Sequence, residues 1–515
     1  MNINSYRLIP DILRFSTKEY PNKIAAEDVD RSVTYMELQS RVNRLAFYLH
    51  EVLELKHKDA VILVLHNSVY FIEAHFAVLT AGCISIPLDP DIKKSNLQYI
   101  LNISGAKAMI IEGVGILNEI EEGGPMMLSI PVISRSLCSK SRQNFISYDQ
   151  ALSHGNDEIT EPRSINCDPA VYMFTTGSTG FPKGVVLTHA IVLSALRNII
   201  EFIQYRETDH ELVTLPLSHN FGLGHMYCNL TVGGKVSLLS GITNFKLLFD
   251  TLMERQPTGM PGTPSGFKIL VTRFPGKLSE CGKFLKRIVI NSEPTPPELV
   301  EKLISLLPNT RIMIYYGLTE ASRSTFIDFM DCKDKYYYSS VGKPSPNVEI
   351  KIVGENGEEL CKRQEGQVVI RGTHLMQSYL NDMEMTQKVL KDGWFFTDDL
   401  GYLDNDNYLF LTGRLSTFIN KGGIKIDPRE IESVTLPYPG IEDVSVIGVE
   451  DKMVGEDIVC CIVAKQEINI EDLRKYYEER LERVKIPLKF VFLDSIPRNK
   501  TGKLLKQELI ETIMK

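Results

Sequence analysis

A stretch rich in glycine and hydroxyl residues lies directly after an apolar run at 170–174. Glycine lets backbone N–H groups approach an anion closely, hydroxyl groups can donate hydrogen bonds to its oxygens, and a lysine adds positive charge. Together these residue types suit a polyphosphate, although such clusters more often form ordinary surface loops. The stretch is not a Walker loop, because its lysine follows proline and precedes glycine. Its residues are Thr175, Thr176, Gly177, Ser178, Thr179, Gly180, Phe181, Pro182, Lys183 and Gly184.

A second stretch with the chemistry of a nucleotide site follows the strand predicted at 311–314. An aromatic face can stack on adenine, Thr319 can donate to a phosphate, and Glu320 can bind a hard cation such as Mg²⁺. In open α/β sheets ligands bind at the carboxyl ends of the strands, where this stretch would lie. Its members are Tyr315, Tyr316, Gly317, Thr319 and Glu320.

Strands and helices alternate at short intervals in the first part of the chain. Apolar runs at 61–65, 84–88 and 108–111 predict buried strands, and helical patterns lie between them at 68–81 and 97–104. This alternation predicts an α/β fold with doubly wound, largely parallel sheets.

The pattern changes to short alternating strands from about residue 340. We predict a small β-barrel-like subdomain at about 340–413, within an N-terminal domain that covers 1–413. The last part, 414–515, combines strand signals with a helical pattern at 470–481 and predicts a small α+β C-terminal domain.

The composition describes a globular protein of more than one domain. The chain has 515 residues, of which 43% are hydrophobic and 24% charged, and this length exceeds what one hydrophobic core supports. A net charge of −8 argues against a nucleic-acid partner. We expect neither a signal peptide nor a membrane span, because no apolar run has the required length and flanks. The nine cysteines form no C-x-x-C pair, which favours reduced thiols and a cytoplasmic location.

In order and residue type, the two stretches resemble the phosphate loop and the Tyr-Gly-x-Thr-Glu motif of the adenylate-forming superfamily. Acyl- and aryl-CoA synthetases, firefly luciferase and the adenylation domains of peptide synthetases belong to this superfamily. Segment 79–90 resembles an early motif of the group, in which a helix ends on glycine and a buried strand begins. Ser292, Glu293 and Pro294 resemble the segment whose backbone lines the adenine pocket, with an ordinary turn as the alternative.

The resemblance continues towards the C-terminus. Segment 393–401 is similar to the motif Gly-Trp-x-x-Thr-Gly-Asp-x-Gly, and Asp399 corresponds to its ribose-binding aspartate. Asp398 stands where the family has glycine, which puts the local backbone in question because glycine often serves positive φ. Arg414 would contact the ribose or a phosphate, and Ser416 occupies the hinge position, where the family usually has Lys or Asp.

The family resemblance implies two half-reactions. A substrate carboxylate attacks the α-phosphorus of ATP, while the phosphate loop with Lys183 holds the other phosphates and Mg²⁺ on Glu320 offsets their charge. Lys503, in an end similar to the family's Pro-Arg-x-x-x-Gly-Lys, would be a mobile catalytic lysine. The C-terminal domain would then rotate about Ser416, and a phosphopantetheine thiol of CoA or of a separate carrier protein would take the acyl group.

Segment 215–222 is similar to the family's acyl-pocket segment and bears on the substrate. His219 would line or gate the pocket, with a satisfied core histidine as the alternative. Amino-acid-activating relatives usually have Phe-Asp here, whereas this chain has His219 and the neutral amide Asn220, which with Gly317 would contact the acid. The pair favours an aromatic or other non-amino acid, and medium- and long-chain acids stay open. The alternatives are an amino-acid adenylation enzyme that loads a carrier protein and a P-loop NTPase, which would release ADP instead of AMP.

Overall fold

The structure is a computed structural model. It describes residues 5–113, 130–135, 144–157, 163–175, 182–332, 334–415, 419–421, 424–451, 455–481, 483–498 and 504–514, and the statements below concern these residues.

The strands are numbered in chain order. They are β1 (Ile24–Glu27), β2 (Ser32–Thr34), β3 (Ala60–Val64), β4 (Ile84–Leu88), β5 (Ala108–Ile111), β6 (Val132–Ser134), β7 (Phe145–Ser147), β8 (Pro169–Thr175), β9 (Lys183–Thr188), β10 (His210–Val213), β11 (Lys235–Leu238), β12 (Gly259–Gly262), β13 (Arg287–Ile290), β14 (Arg311–Tyr316), β15 (Thr325–Asp328), β16 (Lys343–Pro344), β17 (Val348–Val353), β18 (Gly366–Gly372), β19 (Ser378–Tyr379), β20 (Leu390–Lys391), β21 (Trp394–Leu403), β22 (Leu409–Arg414), β23 (Ile419–Lys421), β24 (Ile424–Ile426), β25 (Ile441–Asp451), β26 (Gly455–Ala464) and β27 (Lys489–Phe492).

Helices connect most of these strands. The α-helices are Pro10–Glu19, Tyr35–Phe47, Val69–Thr80, Lys94–Ser104, Tyr148–Ser153, His189–Ile203, Asn220–Val232, Phe245–Arg255, Pro264–Arg273, Pro275–Cys281, Pro297–Leu306, Met383–Val389, Pro428–Thr435, Ile470–Glu478 and Lys506–Met514. A π-helical turn, Tyr48–Val52, continues the second helix, and short 3₁₀ turns lie at Lys335–Ser339 and Arg483–Lys485. Within the described residues, we find no helix with the length and apolar character needed to span a bilayer.

The chain divides by its internal contacts into two compact units. The first comprises Met1–Ile350, Val369–Phe396 and Asp406–Leu409, and the second comprises Lys351–Val368, Thr397–Asn405 and Phe410–Lys515. The domain boundary at residues 413 and 414, with a subdomain at about 340–413, stays a prediction.

The first unit contains two large sheets. One has the strand order β16-β15-β14-β13-β12-β10-β11-β1-β2, and the other has the order β19-β9-β8-β4-β3-β5-β6-β7. The inner strands are parallel in both sheets, and antiparallel pairs such as β14 with β15 and β8 with β9 lie towards the edges. Helices pack their apolar faces on these strands: Leu248, Phe249 and Leu252 of one helix belong to the same buried cluster as Ile288 and Ile312.

The second unit is built around a smaller sheet with the order β24-β23-β26-β25, and β27 lies beside β26. Tyr477 and Leu473 of helix Ile470–Glu478 are fully buried against its strands, together with Ile458 and Cys460. Residues 348–414 also form a sheet with the order β17-β18-β21-β20 and β22 beside β21. The predicted α/β fold with a small α+β C-terminal part is therefore confirmed.

Local signals account for several element boundaries. Ser68 caps the helix Val69–Thr80 by accepting a hydrogen bond from the backbone of Phe71. After this helix Gly82 adopts φ of 77°, a left-handed conformation that favours glycine, and the buried strand β4 begins two residues later. The predicted end of a helix on glycine before a strand is confirmed. Helix Tyr148–Ser153 is a finding that the sequence patterns did not predict.

A buried ion network joins β10 and β13 to helix Asn220–Val232. The Glu211 carboxylate is fully buried and accepts hydrogen bonds from Tyr205, His225, Asn229 and Arg287. Burial alone would raise the pKa of Glu211, but His225 and Arg287 stabilise its charged form and lower the pKa to about 2.

We expect Glu211→Gln to lower the free energy of unfolding by about 3 kcal/mol, because it leaves a buried guanidinium with only part of its counter-charge. The folded-state pKa of Glu211 lies below the ordinary value of about 4.3, so its stabilisation is present above roughly pH 5 and is lost as the pH falls towards 2. Denaturant unfolding between pH 7 and pH 3 should therefore show a difference between the two proteins that shrinks with acid.

The control is Asp250→Asn. Asp250 forms an exposed ion pair with Lys246 on one helix, and such a pair contributes about 0.5 kcal/mol or less. Equal losses for both variants, or a difference independent of pH, would contradict the role of Glu211.

Candidate active site

The carboxyl ends of three neighbouring parallel strands meet at one edge of the first sheet. Gly262 of β12 pairs with Ile290 of β13, and Ile290 pairs with Ile314 of β14. The residues that follow β13 and β14 are the predicted adenine-pocket segment and the predicted Tyr-Gly-x-Thr-Glu turn. Parallel register thus places the two stretches side by side at this edge of the sheet.

Ser292 is the strained residue of the adenine-pocket segment. It has φ of 87°, which a residue with a side chain rarely adopts, and its side chain is exposed. Glu293 is half-buried and accepts a hydrogen bond from the Ser265 hydroxyl over 3.3 Å, and Pro294 is exposed. The strain at this edge of the sheet is typical of a ligand site.

The turn after β14 requires glycine at its first position. A Cβ atom on Gly317 would lie 2.5 Å from the backbone nitrogen of Arg323 and 2.8 Å from the Ala321 carbonyl oxygen. The turn closes with a hydrogen bond from the Leu318 N–H to Ala321, and Thr319 and Glu320 are half-buried. Any side chain at Gly317 would therefore push the turn apart.

A tyrosine connects the predicted phosphate-binding lysine to the predicted metal-binding glutamate. The Tyr379 hydroxyl donates to Glu320 Oε1 over 2.8 Å, and Lys183 Nζ lies 5.8 Å from the centre of the Tyr379 ring. Burial and the Glu320 charge raise the pKa of Tyr379, so its hydroxyl keeps its proton and remains a donor. Lys183 Nζ also lies 3.2 Å from the sulfur of Met385. The structure brings Lys183 and Glu320 into one site with Tyr379 between them.

The two tyrosines at the end of β14 are both buried. The Tyr315 ring packs edge-on against Phe221, with centroids 5.5 Å apart, and burial raises its pKa to about 12. Tyr316 has 6% of its surface exposed. Their predicted contact with ATP stays a prediction.

The predicted acid-binding pair begins a helix. His219 is the N-terminal capping position of helix Asn220–Val232 and is exposed, so the alternative of a core histidine is wrong. Asn220 is half-buried, and its carbonyl oxygen accepts a hydrogen bond from Arg323 Nη2 over 3.1 Å. Since Gly317 also packs on the Arg323 backbone, the structure brings Asn220 and Gly317 to the same arginine.

The predicted ribose site lies in the second unit. Asp399 is buried on β21, and its carboxylate accepts from Arg414 Nε over 2.7 Å. The Thr397 hydroxyl also accepts a hydrogen bond from the Asp399 backbone over 3.1 Å. Asp398 is exposed within the extended strand, so the position needs no left-handed backbone and tolerates aspartate in place of glycine.

Several predicted residues lie outside the described parts of the chain. Thr175, the last residue of β8, is described and pairs with Lys183 of β9. Residues outside the description are Thr176, Gly177, Ser178, Thr179, Gly180, Ser416 and Lys503.

Sequence reasoning missed two residues of the site. Tyr379 lies 59 positions from Glu320, and its role depends on β19 pairing with β9, which no local pattern indicates. Arg323 lies three residues after Glu320, the last residue of the motif, and two residues before the buried strand β15. A charged residue next to a buried strand was the signal that could have identified it.

A profile of the AMP-binding enzyme family matches residues 13–380, and a profile of the AMP-binding enzyme C-terminal domain matches residues 430–503. The chain belongs to the AMP-binding enzyme family. It is an AMP-forming acid–thiol ligase, which activates a carboxylic acid with ATP as an acyl-adenylate and transfers the acyl group to a phosphopantetheine thiol.

Similar proteins cover almost the whole chain. The putative acyl-CoA synthetase YngI of Bacillus subtilis is 29% identical over 97% of this chain and 96% of its own length. The oxalate–CoA ligase of Arabidopsis thaliana is 26% identical over 96% of each chain. The solved structure of o-succinylbenzoate CoA synthetase from Bacillus subtilis, in complex with its acyl-adenylate intermediate, has a TM-score of 0.82 at 26% identity and covers 97% of this chain and 98% of that chain.

We expect Tyr379→Phe to raise the KM for ATP in the presence of Mg²⁺ about 10-fold. The change removes one hydrogen bond to a charged carboxylate, which is worth about 1.5 kcal/mol or more, while it leaves the ring beside Lys183. Steady-state kinetics at varied ATP and Mg²⁺ would measure this effect.

Tyr438→Phe is the matched control, because the Tyr438 ring packs edge-on against Tyr476 in the second unit. An unchanged KM in Tyr379→Phe, or an equal rise in the control, would show that Tyr379 does not position Glu320 for the nucleotide.

Proposed function

We propose that this enzyme activates a non-amino carboxylic acid and transfers its acyl group to CoA. The observation that carries the proposal is the joint position of Lys183, Tyr379 and Glu320, with Asn220 and Gly317 both in contact with Arg323 in the same unit. A cation for phosphates, a carboxylate for a metal and a neutral amide for the acid are the groups that this reaction needs.

Lys183 and the loop Thr175–Gly180 are proposed to hold the β- and γ-phosphates of ATP. Lys183 begins a strand whose partner ends at Thr175, which supports a phosphate loop between them. A carboxylate oxygen of the acid then attacks the α-phosphorus, an O–P bond forms, and pyrophosphate leaves. Lys503 is proposed to stabilise the negative charge that builds up on the reacting oxygens.

Asp399 is proposed to accept hydrogen bonds from the ribose hydroxyls of ATP. Its carboxylate is held by Arg414 through one oxygen over 2.7 Å, and this bond fixes its orientation. Arg414 is itself about two-fifths exposed, so its guanidinium can also reach a phosphate or ribose oxygen. Ser292, Glu293 and Pro294 are proposed to line the adenine pocket, together with Tyr315 and Tyr316.

Glu320 is a suitable ligand for Mg²⁺ that arrives with ATP. Mg²⁺ is bound in nucleotide sites by one or two carboxylates together with phosphate oxygens, and the described residues contain no separate cluster of three metal ligands. Glu320 is half-buried and oriented by Tyr379, which fits a single protein ligand. The ion would offset the negative charge of the phosphates.

The acceptor is proposed to be CoA. The relatives described above are named as CoA ligases or acyl-CoA synthetases, and none of those names refers to a carrier protein. In the second half-reaction the CoA thiolate attacks the acyl carbon, a C–S bond forms, and AMP leaves. The hinge at Ser416, the domain rotation and the cytoplasmic location stay predictions.

We expect ATP–pyrophosphate exchange that depends on an added non-amino acid and that falls at least about 100-fold in Lys503→Ala, since the variant loses a positive charge at the developing oxyanion. The assay would use a panel of aryl, aliphatic, dicarboxylic and amino acids. Thioester formation with CoA would be followed in the same reactions.

Lys506→Ala removes an exposed lysine three residues further on and should keep the wild-type rate. Exchange only with amino acids would support the alternative of an amino-acid adenylation enzyme. No exchange with any acid, or a full rate in Lys503→Ala, would refute the assignment of this site.

A further inference from the structure

Arg323 is a buried arginine without a carboxylate partner among the described residues. It exposes 2% of its surface, Nη1 donates to the Ser322 hydroxyl over 2.5 Å, and Nη2 donates to the Asn220 carbonyl over 3.1 Å. Its Nε has no hydrogen-bond partner. A buried charge is costly unless it is paired and its donors are satisfied. The described residues supply two neutral acceptors for five N–H donors.

Arg287, which is also buried among the described residues of this unit, shows how the protein neutralises a buried guanidinium. Arg287 exposes 5% of its surface and forms ion pairs with Asp209 over 2.8 Å and with Glu211 over 3.3 Å. The difference between the two sites is a counter-anion. Arg287 has two carboxylate partners, whereas Arg323 has none among the described residues.

The position of Arg323 coincides with the predicted acid-binding residues. It bonds to Asn220, its backbone packs on Gly317, and its guanidinium lies 5.7 Å from the centre of the Tyr315 ring. Arg323 and Asn220 also line a small cavity of about 10 Å³, close to the size of one water molecule. Apolar side chains such as Leu187 and Ile191 also line this cavity.

The backbone is built to hold this arginine in place. Arg323 has φ of 64°, a left-handed conformation that costs about 1 kcal/mol or more for a residue with a side chain. A Cβ atom on Gly224 would lie 1.4 Å from Arg323 Nη2, so the guanidinium rests directly on the backbone of helix Asn220–Val232. The strained backbone of Arg323 and the absence of a side chain at Gly224 together hold the Arg323 guanidinium in this position.

We propose that Arg323 is a specificity-determining residue that binds a second carboxylate of the substrate, so that the acid activated by this enzyme is a short dicarboxylic acid. This inference rests on the proposed function. A planar guanidinium recognises a carboxylate through two parallel hydrogen bonds, and the anion would supply the missing counter-charge. The cavity that Arg323 and Asn220 line is only about 10 Å³, which favours a short spacer between the two carboxylates.

His374 does not compete for this anion or replace the cation. It is buried beside the same cavity, and its Nε2 bonds to the Ser324 hydroxyl over 2.8 Å. Burial and the Arg323 charge lower the pKa of His374 to about 4, so the imidazole is neutral at physiological pH. The site therefore offers a single positive charge to a single carboxylate.

Matched pairs of acids test the proposal with the full chain. Malonate with propionate, succinate with butyrate and glutarate with valerate each differ by a carboxylate in place of a methyl group. In ATP–pyrophosphate exchange we expect kcat/KM of the wild type to favour the dicarboxylate of the best pair at least about 100-fold, because the monocarboxylate leaves the buried cation unpaired. Benzoate and a long-chain acid complete the panel.

Arg323→Met keeps the length of the side chain and removes its charge. We expect this variant to lose the preference through a rise in the KM of the dicarboxylate, while the monocarboxylate changes little. Arg323→Lys should keep part of the preference, since it keeps the charge without the fork. A purely structural arginine would change both acids of a pair alike.

Gly224→Ala is the second variant, for the case that Arg323→Met does not fold. Its methyl group would displace the guanidinium and should abolish the same preference. Gly276→Ala is the control, because a Cβ atom there meets nothing within 4 Å and the preference should stay. Thermal unfolding of each variant verifies that it is folded.

The possible outcomes separate the two proposals. A preference for dicarboxylates that Arg323→Met or Gly224→Ala abolishes supports the role of Arg323. Exchange by the wild type with benzoate, a long-chain acid or monocarboxylates in preference to dicarboxylates would overturn that role and leave the proposed function standing. A preference that survives in folded Arg323→Met would overturn it as well. Exchange with no acid at all would overturn both.

Discussion

The buried carboxylate of Glu211 is the constraint on which the first unit depends. A fully buried anion must have its acceptors satisfied. Here the partners are Arg287 of β13, His225 and Asn229 of helix Asn220–Val232, and Tyr205 of the loop before β10. These bonds fix how the helix lies on the sheet. The N-terminus of the same helix carries Asn220, and its second turn carries Gly224, whose backbone lies against the Arg323 guanidinium. A buried ion network that contributes to stability therefore also fixes the position of the proposed acid-binding residues.

Among the described residues of this unit two arginines are buried, and we assign them different roles: Arg287 stabilises the fold, and Arg323 binds the substrate. Arg287 is neutralised by two carboxylates of the protein, those of Asp209 and Glu211. Among the described residues, the Arg323 guanidinium has neutral acceptors only. A buried guanidinium without a counter-anion destabilises the folded protein, and a bound anion would remove this destabilisation. Binding energy of this kind is selective, because a substrate without the anion cannot recover it.

Local patterns were sufficient for the strands and for the position of the motifs. β4 and β5 have the boundaries that the apolar runs predict, and the predicted, largely parallel sheets are confirmed by pairs such as β12 with β13 and β13 with β14. The sequence also leads from these strands to Glu320 and Ser292 at their carboxyl ends. The sequence did not predict the roles of Tyr379 and Arg323. Their roles arise from contacts across 59 and 103 positions of the chain, and periodicity carries no information on such contacts.

Asp398 stands where the family has glycine, and the structure shows whether its backbone requires glycine. Glycine at a family position suggests positive φ, yet Asp398 lies in the extended strand β21 with its side chain exposed. The backbone there imposes no requirement for glycine. The negative charge of Asp398 instead lies next to Asp399, whose carboxylate is turned inward to Arg414. Alternation along a strand separates the two adjacent aspartates onto opposite faces.

Tyr379 lies between a lysine and a glutamate that a site for a metal-bound polyphosphate must keep apart. A lysine and a glutamate placed together in a half-buried site would form a direct ion pair, and each would then be occupied by the other. The Tyr379 ring lies beside Lys183 and its hydroxyl bonds to Glu320, so the aromatic group separates the opposite charges while it orients both. The raised pKa of the hydroxyl keeps it a donor to the carboxylate. The cation therefore stays available for phosphate oxygens and the carboxylate for a metal ion, which is the separation of charge that the transfer of an adenylyl group requires.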